Sequence, residues 1–171
     1  MLGRYKPLSP SLQLSGIGIV NLSKRLKMGS TSLLRIFLVN DNLFCLKMYE
    51  LYLGVLGYKD LTLCRDGNSC LDSLARQPDV IFLDYSMETA GDCQLLKRIK
   101  QHNPDIYVVF LCSPEKTEET KLTLKQGAFD YIIKGERDLD DMKNMLSKIK
   151  NIKELLNNPY GLSPEELFLR M

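Results

Sequence analysis

Three charged residues in this sequence each close a short apolar run, and together they could do chemistry: Asp41, Asp84 and Lys134. Asp84 ends Pro78-Asp79-Val80-Ile81-Phe82-Leu83-Asp84, in which four consecutive apolar residues read as a strand buried on both faces. A carboxylate leaving such a strand lies at the carboxyl edge of a parallel sheet, where ligands arrive from solvent. Asp41 follows the run from Leu34 to Val39, and Lys134 follows Phe129 to Ile133. Singly, each has a plainer reading: an acid after a strand caps the next helix, and a lysine there is a solvated strand end. Two carboxylates about 4 Å apart would repel by roughly 4 kcal/mol at an effective dielectric near 20, so a cation is expected between them. Hard oxygen ligands favour magnesium, with Ser86 adding its backbone carbonyl. Lys134 can reach inward as a point charge for a phosphoryl oxygen.

These residues need a scaffold, and the pattern around them alternates strand and helix five times. Strands are expected at Leu34–Val39, Tyr58–Cys64, the run ending at Asp84, Ile106–Leu111 and Phe129–Ile133. The first helix is read from Phe44, Met48, Leu51 and Val55 at i, i+4, i+7 and i+11, with Asn42 or Asp41 as cap and Gly57 as stop. Arg65-Asp66-Gly67 makes a turn before a short helix carrying Leu71 and Leu74. A third helix runs through Leu95, Leu96 and Ile99 towards His102, and a strongly charged fourth spans Glu115 to Gln126. The last, from about Asp138 to Asn157, shows Leu139, Met142, Leu146, Ile149, Ile152 and Leu156 on one face. Alternation of this kind predicts an α/β fold, a doubly wound five-stranded parallel sheet of order 2-1-3-4-5 with helices on both faces.

Composition excludes several function classes. The chain has 171 residues, 44% apolar and 26% charged, and only one histidine, His102, which removes Ser-His-Asp and Cys-His catalysis. Five cysteines without CxxC spacing point to a reducing, cytoplasmic setting rather than a disulfide framework or zinc site. No run approaches a membrane span. Residues 1–33 carry five basic residues and no acid, leaving the remainder mildly acidic, without a footprint for direct nucleic-acid binding. That segment reads as a basic, disordered extension, with Met28 as a candidate start. Residues 158–171 read as a short tail with a helix from Ser163, capped by Ser163-Pro164-Glu165-Glu166.

On Val39-Asn40-Asp41, on Pro78 to Asp84, and on Gly127-Ala128-Phe129-Asp130-Tyr131-Ile132-Ile133-Lys134, residues 34–157 resemble the receiver domain of two-component response regulators. The resemblance implies a flavodoxin-like fold that takes a phosphoryl group from a histidine kinase or phosphotransfer protein. Asp84 would be the phospho-acceptor, Lys134 the phosphate partner, and Tyr131 the aromatic switch, although Tyr131 could equally be core. Magnesium would be held by Asp41, Asp84 and the Ser86 carbonyl. Where the family has two consecutive acids, the first is Asn40 here, which would act through a water. The family's Ser or Thr after the fourth strand aligns with Cys112, a poor donor, so that Ser113 would have to substitute at the switch position. Gly135 follows the lysine instead of proline, and Glu88 and Asp92 replace a usual proline and glycine.

The leading expectation is therefore a phospho-accepting signalling switch, not a turnover enzyme, that contacts a downstream protein through the 115–157 face. About fourteen residues follow the last helix, too few for an output domain, so the expectation is a receiver that acts alone through protein contacts or is the receiver piece of a longer parent. The alternative is a pseudo-receiver, an interaction module independent of phosphorylation, supported by Asn40, Cys112 and Gly135. Phosphatases of the haloacid dehalogenase type want a second acid where Ser86 stands. Flavodoxins want a Ser/Thr-rich phosphate loop where Asn40-Asp41-Asn42-Leu43 stands.

Overall fold

Alternate residues of each central strand feed two separate cores, and that period of two fixes which helices lie on which side. In the computed structural model, which describes residues 34–87 and 93–157, the strands are β1 (Ile36–Val39), β2 (Leu61–Cys64), β3 (Val80–Asp84), β4 (Tyr107–Cys112) and β5 (Asp130–Ile133). All pair in parallel, in the order β2-β1-β3-β4-β5. The helices are α1 (Leu43–Val55), α2 (Gly67–Asp72), α3 (Gln94–His102), α4 (Thr117–Leu124) and α5 (Asp138–Asn157), with single 3-10 turns at Leu74–Arg76, Tyr85–Met87 and Pro114–Lys116. Phe37, Val39, Ile81, Leu83, Val108 and Phe110 pack with Cys70, Leu74, Leu96 and Ile99 of α2, its following turn and α3. Ile36, Leu38, Val80, Phe82, Val109 and Leu111 pack with Leu46, Tyr49 and Leu53 of α1 and Met142, Leu146 and Ile149 of α5. The doubly wound α/β architecture and strand order expected from the alternation are what is found.

Local sequence sets the helix ends. The Asn42 side chain accepts from the backbone N–H groups of Phe44 and Cys45 and so starts α1, while Asp66 and Ser69 form a reciprocal capping box for α2. Gly57 and Gly127 take φ of 92° and 103° after α1 and α4, where a Cβ would be strained. The second strand is shorter than expected, beginning at Leu61 rather than Tyr58.

The outward and inward sides of α1 are the reverse of the expectation. Phe44, Leu51 and Val55 are 76%, 71% and 78% exposed, and Leu46, Tyr49 and Leu53 are the buried side. The helix is apolar around most of its circumference, with only Lys47 and Glu50 charged, so it carries two opposed apolar stripes. Periodicity detects either stripe and does not rank them. The fourth helix buries Thr120 and Thr123 while Leu122 stands half exposed. Both threonine hydroxyls are satisfied locally, donating to the carbonyls of Lys116 at 2.7 Å and Thr120 at 2.6 Å.

One polar link ties α1 to α5 inside the core. Tyr49 is buried and donates its hydroxyl to the buried Asp138 carboxylate at 3.2 Å. Burial first, then the charge of Asp138, pushes the Tyr49 hydroxyl well above its usual range. The folded chain therefore holds a proton that the unfolded chain releases near pH 10, and this contribution to stability is lost as pH rises past that point. Tyr49→Phe should destabilise the fold by about 1–3 kcal/mol through the orphaned carboxylate, and urea melts between pH 7 and pH 10.5 should show a flatter alkaline loss.

The predicted extension 1–33, the tail helix from Ser163, and the replacements Glu88 and Asp92 lie outside the described residues.

Candidate functional site

The register of the sheet assembles the site. Ile36 pairs with Val80 and Leu38 with Phe82, an offset that, continued two residues, sets Asn40 beside Asp84 on the same side of the sheet. Asp84 pairs with Leu111, and Leu111 with Ile132. Lys134 lies two residues beyond Ile132, on the same alternation, and its long stem crosses the end of β4 to reach the carboxylate.

Asp84 is 3% exposed and fully hydrogen-bonded. Its Oδ1 accepts from the Ser86 backbone N–H at 3.0 Å and the Ser86 hydroxyl at 2.9 Å. Its Oδ2 accepts from Asn40 Nδ2 at 2.6 Å and Lys134 Nζ at 2.7 Å. Desolvating a carboxylate is costly unless its lone pairs are occupied and a counter-charge is close, and both conditions are met. Lys134, with its side chain 29% exposed, keeps its outer side open to solvent. A phosphoryl oxygen approaching from the edge would meet that ammonium.

Asn40 is 2% exposed, and its orientation is fixed from both ends. Its Oδ1 accepts from the Asn42 N–H at 2.8 Å, which leaves the amide nitrogen facing Asp84. The family resemblance gives Asn40 a water-mediated approach to magnesium; the structure shows a further contact, its amide donating directly to the Asp84 carboxylate. Period-two alternation from Leu38, combined with the β1–β3 register, was the signal that could have found it. The Ser86 hydroxyl is the second contact that the sequence reading omitted, having assigned Ser86 only a carbonyl.

Asp41, next in the chain, is exposed, and among the described residues its carboxylate has no hydrogen-bond or ion-pair partner. The structure thus brings Asp84, Lys134, Ser86 and Asn40 together and leaves Asp41 beside them facing water. Its donors suit a hard cation: two carboxylates and a carbonyl are the kind of set that holds magnesium with several waters retained. Among the described residues there is no larger acidic or thiol cluster.

Cys112, at the end of β4, is fully buried in the core against α2 and α3, and its carbonyl accepts the Lys134 N–H at 2.7 Å. It thus holds the base of Lys134 through backbone rather than through sulfur. Ser113 is half-buried, with its hydroxyl bonded to Glu115, whose carboxyl its own backbone N–H first and this contact second pull below the usual range. Tyr131 is half-buried at the margin of the same core, beside α4. His102 is exposed at the end of α3.

Comparison with known proteins gives a consistent result. The family model described as response regulator receiver domain matches residues 36–147. The luminescence regulatory protein LuxO of Vibrio campbellii is 25% identical over 126 residues, covering 71% of this chain and 28% of that protein. The probable C4-dicarboxylate response regulator DctR of Bacillus subtilis is 31% identical over 91 residues, covering 53% of this chain and 40% of that protein. The chain therefore spans well under half the length of these relatives. Among solved structures, a response regulator receiver domain protein from Clostridium thermocellum superposes with a TM-score of 0.63 at 22% identity, covering 71% of this chain and 97% of that one.

Proposed function

The chain belongs to the response regulator receiver domain family, and on that premise we propose that Asp84 accepts a phosphoryl group from a phosphohistidine of a histidine kinase or phosphotransfer protein. The observation carrying this reading is the buried Asp84 at the strand end with Lys134 Nζ at 2.7 Å. An Asp84 oxygen forms the new O–P bond as the donor's N–P bond breaks, and the electron pair leaves on the imidazole nitrogen. Lys134 stays protonated and moves its N–H from Oδ2 to a phosphoryl oxygen. Asn40 and Ser86 hold the carboxylate in one orientation, so that little beyond positioning is required. Asp41, Asp84 and the Ser86 carbonyl are the residues that would hold Mg2+, which supplies charge neutralisation on the transferring oxygens when bound.

The receiver unit is taken as residues 34–157, acting by protein contact in the cytoplasm rather than by turnover of a separate substrate. A downstream protein would read the 115–157 face, with Tyr131 and the Cys112 position between it and Asp84. Among the described residues no helix is long and apolar enough to cross a membrane.

Incubation with acetyl phosphate and Mg2+ followed by intact-mass analysis should give a single increment of about 80 Da, one phosphoryl unit, mapped to Asp84. No increment, or one mapped elsewhere, would overturn the assignment.

A second reading, a pseudo-receiver that is not switched, is favoured by Asn40. With its amide on Oδ2, four donors already satisfy Asp84 without a metal or phosphate. Absence of the mass increment together with intact binding of a partner protein would select it.

A further inference from the structure

The donors around Asp84 divide unevenly between its two oxygens. A carboxylate offers about four lone-pair sites, and all are taken here. Oδ1 accepts only from Ser86, whereas Oδ2 takes the Lys134 ammonium at 2.7 Å and the Asn40 amide at 2.6 Å. Lys134, with its side chain 29% exposed, can follow an incoming oxygen; Asn40, 2% exposed, is pinned by the Asn42 N–H on its own Oδ1. One N–H of the Asn40 amide is engaged by Asp84, and the second has no partner among the described residues. The charge count is equally specific. Asp84 is balanced by Lys134 and residue 40 adds no charge, so among the described residues a phosphoryl dianion at this edge meets only the exposed Asp41 as an unpaired acid. An acid at position 40 would instead touch the acceptor carboxylate, where repulsion of a dianion is strongest and a divalent cation would be needed to offset it.

Resting on the reading that Asp84 is the acceptor, we propose that the Asn40 amide takes over part of the charge neutralisation otherwise supplied by a divalent cation, so that Asp84 is phosphorylated without Mg2+. Oδ2 is the attacking oxygen, because its two donors are the ones placed to accompany the phosphoryl group. As the Oδ2–P bond forms, the bond from phosphorus to the bridging oxygen of acetyl phosphate breaks, and its electron pair departs on acetate. No proton changes hands. Once esterified, Oδ2 is a poor acceptor, and Lys134 turns to one phosphoryl oxygen while the pinned Asn40 amide presents an N–H to another. Oδ1 becomes the acyl carbonyl oxygen and keeps both Ser86 donors. Asp41 and the Ser86 carbonyl leave room for a modest acceleration by Mg2+.

Intact-mass kinetics of the full chain with acetyl phosphate, run in EDTA and in Mg2+ and mapped to Asp84, test this. The ratio of the Mg2+ rate to the EDTA rate should stay below about 30-fold for the unmodified chain and be at least about tenfold larger for Asn40→Asp. Asn40→Ala removes the amide without adding charge; it should label about 10–30-fold more slowly than the unmodified chain in EDTA and recover most of that loss in Mg2+. Circular dichroism checks that each variant is folded under both conditions. A second readout is the Asn40 side-chain amide resonance, assigned by its loss in Asn40→Ala, which should move downfield as the adduct forms in EDTA. No adduct under either condition would remove Asp84 as acceptor, and this role of Asn40 with it. An adduct that forms in Mg2+ but more than about 30-fold slower in EDTA would overturn the role of Asn40 alone. Equal EDTA rates for the unmodified chain and Asn40→Ala, an Asn40→Asp ratio no larger than the unmodified one, or an unmoved amide resonance would overturn it as well.

Discussion

Asp84→Asn should leave no measurable phosphoryl adduct after acetyl phosphate and Mg2+, at least 100-fold below the unmodified chain, while the domain stays folded. The replacement is nearly isosteric, so it removes the proposed nucleophile without opening a cavity. It does disturb the hydrogen bonding, because a carboxylate accepts at both oxygens and an amide at only one. If the new oxygen keeps the Ser86 N–H and hydroxyl, the new NH2 faces the Asn40 amide and the Lys134 ammonium, three donors without an acceptor. Asn40 cannot turn its oxygen round without giving up the Asn42 N–H. Lys134, partly exposed, can swing into water. The net destabilisation is expected at about 1–2 kcal/mol, a fall of a few degrees in melting temperature. Intact mass reads the first effect and thermal denaturation the second. Labelling equal to the unmodified chain would remove Asp84 from the acceptor role.

Much of this arrangement is legible in the sequence, for a physical reason that differs between elements. Buried parallel strands read as continuous apolar runs, so Ile36–Val39, Val80–Asp84 and Tyr107–Cys112 stand out, and their alternation with helices implies the strand order. Strand ends then locate Asp84 and Lys134 without knowledge of any side-chain position. Asn40 carries no such mark, being an uncharged amide beside the charged Asp41. Only the exact pairing of β1 with β3 shows that the amide, not the next carboxylate, meets Asp84.

Helix faces were the weaker part. In α5 charges mark the solvent side, and Met142, Leu146 and Ile149 are buried as the pattern requires, whereas Leu156, in the last turn beyond the sheet's cover, is 71% exposed. In α1 the charges are too few to mark it, and the cap at Asn42 together with the packing of Tyr49 on Asp138 decides the rotation instead. Thr120 and Thr123 of α4 look like surface residues, yet each hydroxyl has a carbonyl partner on the preceding turn, which makes the threonine side the one that can be buried.

The second large effect concerns the same pair of strands. Asn40→Asp should make the fold depend on a divalent cation. The 2.6 Å amide-to-carboxylate hydrogen bond would become a contact between two carboxylates, and the exposed Asp41 adds a third negative charge nearby. Two like charges at this range cost about 4 kcal/mol at an effective dielectric near 20, and Lys134, shared between them, offsets part of that. A loss of about 2–4 kcal/mol is expected at pH 7.5 in the presence of a chelator. Repulsion raises the proton affinity of one carboxyl in the folded variant above its unfolded value, so the deficit should be small near pH 4 and grow as pH rises through the raised value. Mg2+ should reverse it, because the added acid turns repulsion into coordination, with an affinity at least tenfold above that of the unmodified chain. Melting temperatures across a Mg2+ titration, run for both chains at pH 5 and pH 7.5, measure both consequences. Identical melting of the two chains in chelator would mean that a carboxylate at residue 40 meets no repulsion from Asp84, and that the direct contact between these two side chains does not set the charge balance at the strand ends.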